Sequence, residues 1–516
     1  MSRPDMPLED LPRAGHPQFA LGQALGYTAF TWGYPLVETQ RTCRLQVQVP
    51  EHLQLQPGAG NSAASTPPPS AAWHAPIDRL RHRLEVATEA DRDVVTPAND
   101  LLYTNGWIHL ADGPRLLRVP ASARHPGRYF VLALYDAWTN NFANPGLRES
   151  PPQGETLVLV GPGTSDEAVA RAVAAAGMDG DNSANALAAR TASVRVVHSP
   201  TPLVWLIARV LAGEGDDVHA ARALQAEITL DALPGSDHGR LPHAVQHGCG
   251  PPQETLAALQ ERPAQADQIA AAFFNNLCHA LVDQPVPPAD AGLAHWLARG
   301  GLAPSPNFEF MQLDAPLRAG LQRGLQDAAA AIEHASRSRR ARPWAMNMQI
   351  GRYGTDYLVR ALTAYKGLAA LAAEEALYAM CDFDAERAPL HGRHAYVQRF
   401  EPGELPPVDG FWSVTLYDAD RFLYRNSACR YALGDRTRGL TFDADGGLTL
   451  YIAHLPPTDS AAKANWLPAP AGSFYLVLRL YVPRADVRSW RIPPLHKAAL
   501  TQSSSPPAGS PAATAP

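Results

Sequence analysis

The segment YFVLALYDA at 129–137 is written a second time as FWSVTLYDA at 411–419, near the other end of a 516-residue chain. Leu134, Tyr135, Asp136 and Ala137 fall on Leu416, Tyr417, Asp418 and Ala419, and at the same offset Asn144 falls on Asn426. A second pair, ETLVLVGP from 155 and GLTLYIAH from 447, follows each at a comparable distance. Short runs of β-branched and aromatic residues bounded by Gly, Pro and Asn are strand patterns. The echo therefore predicts two related β modules, one near each end, with other material inserted between them.

The flanking segments agree. GWIHL (106–110), RLLRVP (115–120), RYFVLALYD (128–136) and TLVLVGP (156–162) come in quick succession and read as antiparallel β. HAYVQRF, FWSVTLYD, LTLYIAH and SFYLVLRLYVP, all beyond residue 385, suit a sandwich or jelly roll. Between the modules the pattern turns helical. Thr201-Pro202 reads as a helix start leading into LVWLIARVLAG, and 265–282, 316–336 and 356–380 carry helical periodicity. A Pro/Gly/His-rich stretch at 233–253 interrupts them. Near the N-terminus, the uncharged stretch 19–37 predicts a buried helix ending near Gly33-Tyr34-Pro35.

The expected fold class is α+β, with two antiparallel β-sandwich or jelly-roll-like lobes and a mainly helical middle. The boundaries expected are a flexible N-terminus (1–18), a helix plus β lobe (19–198), a helical connector (199–350), a second helix plus β lobe (351–490) and a disordered tail (491–516). Residues 56–72 (QPGAGNSAASTPPPSAA) read as a low-complexity loop.

Charge narrows the partners. With 44 Lys+Arg against 50 Asp+Glu, the chain lacks the positive excess of a nucleic-acid binder. Its five cysteines, Cys43, Cys249, Cys278, Cys381 and Cys429, are scattered and form no CxxC pair, as in a reducing compartment. The 19–37 stretch holds Gln23, Gly22, Gly26, Gly33 and Pro35, too polar for a membrane span. Arg3 and Arg13 are outnumbered by Asp5, Glu9 and Asp10, unlike the basic start of a signal peptide. The expectation is a soluble, cytoplasmic protein.

Several blocks carry a family resemblance. GYPLVETQRT (33–42), TPANDLLYTNGWIHLADGP (96–114) and RYFVLALYDAWTNNFANPG (128–146) resemble the N-terminal part of two-part bacterial proteins, domain of unknown function 1254. GRYGTDYLVRA (351–361), LPPVDGFWSVTLYD (405–418), YALGDRTRGL (431–440) and ANWLPAPAGSFYLVLRLYVP (464–483) resemble its partner, domain of unknown function 1214. The chain departs from the family where the usual Asn-Asn-Asp-Thr reads Ala98-Asn99-Asp100-Leu101, and 56–72 resembles an insertion. The resemblance implies a mixed fold with two sandwich-like lobes and says little about chemistry. Many members are exported, so localisation does not transfer.

No HExxH, GxSxG, Walker or GxGxxG motif is present. LVGPGTSDE (159–167) is a strand–turn–helix phosphate-loop candidate whose Thr164 and Glu167 equally fit a capping box. In the Asp237-His238, His243, His247 and Cys249 cluster, the i,i+4 histidines have metal-competent spacing but are flanked by Pro242, Gly248 and Gly250. His391 and His394 form a weaker pair, and the Arg-rich run at 337–342 reads as a solvated linker or a site for an acidic partner.

The main candidates are acids and amides at strand ends. Asp100, Asp136, Asp356, Asp418 and Asp435 are the candidate catalytic carboxylates. Asn99, Tyr103, Trp138, Asn140, Asn141, Tyr353, Tyr357, Trp412 and Arg436 are the candidate ligand-binding residues. Converging on one cavity, such carboxylates divide acid and base roles or hold a divalent cation. An aspartate directly after an apolar strand also caps its own turn. The leading expectation is an enzyme acting on a small organic molecule through carboxylate acid/base or carboxylate–metal chemistry. Its rivals are a non-catalytic binder of a carbohydrate or aromatic metabolite and an oligomeric interaction protein, with a homo-oligomer among the assemblies considered.

Overall fold

The computed structural model describes residues 16–47, 74–92, 96–177, 193–213, 216–233, 239–248, 255–338 and 343–498. The expectations placed on 1–15, the 56–72 loop, Asp237, His238, Cys249, Arg339, Arg340, Arg342 and the tail from 499 lie outside the described residues.

The echo extends to whole lobes. The first half contributes β1 (Arg79–His82), β2 (Leu101–His109), β3 (Arg115–Val119), β4 (Phe130–Asp136), β5 (Asn141–Ala143), β6 (Glu155–Val160), β7 (Ser193–His198), β8 (Leu203–Leu211) and β9 (Leu230–Ala232). The second contributes β10 (Trp344–Met346), β11 (Ala376–Cys381), β12 (Ala395–Phe400), β13 (Trp412–Asp418), β14 (Ala432–Gly434), β15 (Leu448–Ala453), β16 (Trp466–Pro468), β17 (Phe474–Tyr481) and β18 (His496–Ala498). The N-terminal sheets run β1-β2-β8-β4-β5 and β7-β6-β3-β9; the C-terminal sheets run β10-β11-β17-β13-β14 and β16-β15-β12-β18. Advancing each strand number by nine turns the first lobe into the second. Even the parallel pairs correspond, β6 with β7 and β15 with β16, in otherwise antiparallel sheets.

Strand alternation explains how each lobe closes. In β8, Val204, Leu206, Ala208 and Val210 face the four-stranded sheet, meeting Leu117, Leu157 and Leu159 in the N-terminal sandwich core. In β17, Phe474, Leu476, Leu478 and Leu480 do the same against Tyr396, Leu448 and Leu450. The opposite faces of both five-stranded sheets are buried as well. They turn toward each other and toward helices α1 (Pro17–Val47), α2 (Ala266–Asp283), α3 (Ala315–Ser338) and α4 (Tyr357–Gly367).

Three expected elements are corrected. The segment after Thr201-Pro202 is not a helix but β8, the central strand of its sheet. Its residues are buried on both faces, and such a run shows no alternation to separate strand from helix. The 356–380 pattern is a helix only over Tyr357–Gly367, after which Ala376–Cys381 joins a sheet as β11. The helical middle is therefore narrower than expected, concentrated between 255 and 338.

The first helix does not stop at Pro35 but continues to Val47. Proline inside a helix removes one hydrogen bond and costs about 3 kcal/mol. Burial of Leu25, Phe30, Trp32, Tyr34 and Leu36 in the interlobe core outweighs it. At the 159–167 turn, Ser165 rather than Thr164 caps the helix Asp166–Ala176, accepting from the Ala168 N–H. Among the described residues, no helix is long and apolar enough to cross a membrane.

Candidate functional site

Where the two five-stranded sheets face each other, each strand sends alternate side chains into the interlobe space. Two of these are arginines at equivalent places. Arg209 on β8 stands opposite Tyr103 of β2 and Val131 of β4, and Arg479 on β17 stands opposite Tyr378 of β11 and Ser413 of β13. Tyr135 and Tyr417 complete the correspondence, each accepting a hydrogen bond from its lobe's arginine at 3.2 and 2.8 Å respectively.

Each arginine also reaches into the other lobe's approach loop. Arg209 Nη2 donates to the Ala369 carbonyl at 3.3 Å, and Arg479 Nη2 donates to the Thr96 carbonyl at 2.8 Å. Ala369 and Thr96 precede β11 and β2 and have matching left-handed backbones, φ 60° and 57°. That conformation is uncommon outside glycine and turns the carbonyls to the guanidinium groups. The cross-lobe clasp is thus itself duplicated. Tyr417 adds a 2.6 Å bond from its hydroxyl to the Pro97 carbonyl, and Tyr475 and Thr96 share a 2.8 Å hydroxyl contact.

Between the sheets lies a chamber of about 1930 Å³. Tyr103, Trp205, Ile207 and Arg209 line it from the N-terminal sheet, and Tyr378, Met380, Val477 and Arg479 from the C-terminal sheet. Trp205 is held in place by its Nε1–H on Asn105 Oδ1 at 2.6 Å and by stacking on Trp107 at 4.5 Å between ring centres. Burial pushes the Tyr417 phenol up to about 12 and raises Tyr135, Tyr378 and Tyr481, so these hydroxyls stay neutral.

The sequence-predicted residues fall into separate places. Asp136 caps the turn after β4, its Oδ1 accepting from the Trp138 and Asn140 N–H groups and its Oδ2 from Asn140 Nδ2, each at 2.9 Å. Burial raises its pKa to about 6. Asp418 repeats the motif after β13 with the N–H groups of Asp420 and Phe422 at 3.0 Å. Asp356 is the N-cap of α4, accepting from Val359 N–H at 3.1 Å. Asp435 accepts from the Trp412 N–H at 3.1 Å and sits 3.6 Å from Arg436.

Asp100 starts β2's approach beside Ser413. Its carboxylate oxygens and Asn99 Oδ1 are sealed from solvent, and burial raises the Asp100 pKa against the opposing pull of Ser413 and the Arg479 charge. Burial raises Asp435 likewise, and the two acids are close enough to repel. Trp412 packs on Phe400 inside the C-terminal sandwich, 5.5 Å between rings.

Trp138 and Tyr357 come together elsewhere, around Arg360, which lies 5.2 and 5.3 Å from their ring centres. Tyr357 donates to Asp290 at 2.6 Å, and buried Tyr353 has its phenol raised to about 12 by burial. Asn141 joins the lobes, its N–H on the Gly351 carbonyl at 2.7 Å and its Oδ1 accepting from Ala372 N–H at 2.8 Å. Of all these residues, Tyr103 alone lines the chamber.

The arginines were missed. Ile207-Ala208-Arg209-Val210-Leu211 and Val477-Leu478-Arg479-Leu480-Tyr481 are a third echo, a lone charge in the middle of each lobe's most apolar strand. Aligning them would have exposed β8 and both arginines together. His243 and His247 lie ring to ring at 4.6 Å, with His279 at 5.4 Å from His243. Among the described residues, no group of three or more His, Cys, Asp or Glu side chains could hold a metal.

With both lobes and their clasp in view, the class of the protein is plain. Residues 77–232 match the family described as Protein of unknown function (DUF1254), and 375–485 match Protein of unknown function (DUF1214). The chain is a two-part DUF1254–DUF1214 protein, the first match spanning β1 to β9 and the second β11 to β17. No curated protein matches it. Among solved structures, it is similar to the VPA0106 protein from Vibrio parahaemolyticus, with 20% identity and a TM-score of 0.62 over 93% of this chain and 100% of that one. That likeness is one of fold. A putative uncharacterized protein from Burkholderia cenocepacia aligns at 11% identity and a TM-score of 0.39, over 93% of this chain and 94% of its own.

Proposed function

We propose that the protein binds a small organic molecule in the chamber between its two sandwiches. The observation that carries this reading is the chamber itself: about 1930 Å³, walled by aromatic and aliphatic side chains of two sheets together with apolar and charged side chains from α1, α4 and the adjoining loops. Ligand sites have this make-up, an apolar concavity with sparse polar anchors, most often at a domain interface. Carboxylate catalysis draws less support. None of the five predicted aspartates lines the chamber, and Asp136, Asp356, Asp418 and Asp435 each accept hydrogen bonds from nearby backbone.

The test is titration with the neutral fluorophore N-phenylnaphthylamine. The wild-type protein is expected to bind it saturably at one site. Ile207→Trp and Val477→Trp, which fill the chamber from opposite walls, are expected to abolish that binding without unfolding the protein. A dye that does not saturate, or that ignores both substitutions, overturns the reading.

A further inference from the structure

We propose that the chamber selects an amphipathic organic anion, whose acid group is met by the guanidinium groups of Arg209 and Arg479. This rests on the binding reading above and names the chemistry of what is bound.

The argument begins with unspent donors. A guanidinium carries five N–H hydrogens and does not lose its charge in a protein. Arg209 uses three, on Tyr135, the Ile207 carbonyl and the Ala369 carbonyl. Arg479 also uses three, on Thr415, the Thr96 carbonyl and Tyr417. In each, the Nε–H and one Nη hydrogen remain, and every acceptor engaged is a neutral oxygen.

Both side chains are nearly sealed, at 8% and 3% exposure, yet neither forms an ion pair among the described residues. A buried charge is costly unless an opposite charge meets it. The surrounding phenols do not supply one, because burial holds them protonated. Asp100 stands behind Arg479, outside the chamber lining, and its own burial favours the neutral acid.

The chamber as a whole repeats the imbalance. Seven Lys and Arg side chains line it against two acids, Glu38 and Asp382, in a chain whose net charge is −6. Glu38 is already held by Arg41 at 2.6 Å and by the Thr255 backbone N–H at 3.1 Å. Positive potential inside a low-dielectric cleft concentrates anions. The same two sheets line the chamber with Trp205, Ile207, Met380 and Val477, an apolar surface that suits an apolar ligand body.

The experiment compares two dyes with the same aromatic body, neutral N-phenylnaphthylamine and the anion anilinonaphthalene sulfonate. The sulfonate is expected to bind about tenfold more tightly or better, the scale of a hydrogen bond to a charged group. Arg209→Gln is expected to remove that advantage, read as the ratio of the two dyes' affinities in the same variant, and Arg209→Lys to keep part of it. Arg209 is the primary test because its protein contacts are the longer ones; Arg479→Gln is read only if its melting temperature matches the wild type. Equal affinity for the two dyes, or a sulfonate preference that survives Arg209→Gln, overturns the proposal while leaving the chamber reading intact. Failure of both dyes to saturate overturns both.

Discussion

Asp136 shows how one residue type serves structure where sequence suggests chemistry. It was singled out for standing at the end of an apolar strand, and the same position makes it a turn cap. The cap is buried, and burial raises its pKa to about 6 from the usual 3.8. A raised folded-state value means the native protein holds the proton more tightly than the unfolded chain. The associated stability is full below about pH 4 and lost as pH rises through about 6. The stability difference between wild type and Asp136→Asn should therefore fall between these pH values, by on the order of 2 kcal/mol. Thermal melts of both proteins across that range check it, and a constant difference would contradict the burial account. At this scale the sequence was legible for caps, which are local, and silent for Arg209 and Arg479. Their meaning depends on a partner sheet far away in the chain.

Elements were legible where their period was clean. Helices α2 and α3 appear close to the expected bounds because an apolar face alternates with a polar one. β8 and β11 were hidden because burial on both sides, or on most of one, erases that alternation. Pro35 misled for a related reason: the local rule for proline is sound, and tertiary burial overrides it.

The packing of α1 on α3 explains why α1 is rich in glycine. Gly22 and Gly26 meet the Leu317 and Leu321 carbonyls, while Gly320 and Gly324 meet those of Phe19 and Gln23. The helices run side by side in the same direction with their backbones in contact, the arrangement small residues four apart permit. A methyl group at Gly26 would collide with the Leu321 backbone, which cannot swing away as a side chain could. Gly26→Ala is expected to destabilise by about 2 kcal/mol or more, despite the better helix propensity of alanine. Urea denaturation measures this; a variant as stable as the wild type would mean the helices are further apart.

Among the described residues, the molecule carries one nine-strand sandwich twice, and the duplicated sheets with the helices packed on them make a room neither lobe could make alone. The echo of Tyr135-Asp136 in Tyr417-Asp418 announced the duplication, and the remaining strand correspondences follow from it. What it did not announce was that the sheets meet face to face. The clasp is carried by backbone carbonyls of Thr96 and Ala369, and a carbonyl has no letter in a sequence.

The chamber's role is the claim on which the rest depends, and a crystal structure with bound anilinonaphthalene sulfonate tests it most directly. The account predicts density for one dye molecule between Ile207 and Val477, with a sulfonate oxygen about 3 Å from a nitrogen of Arg209 or Arg479. Dye ordered only on the outer surface, with the chamber holding solvent alone, would contradict it.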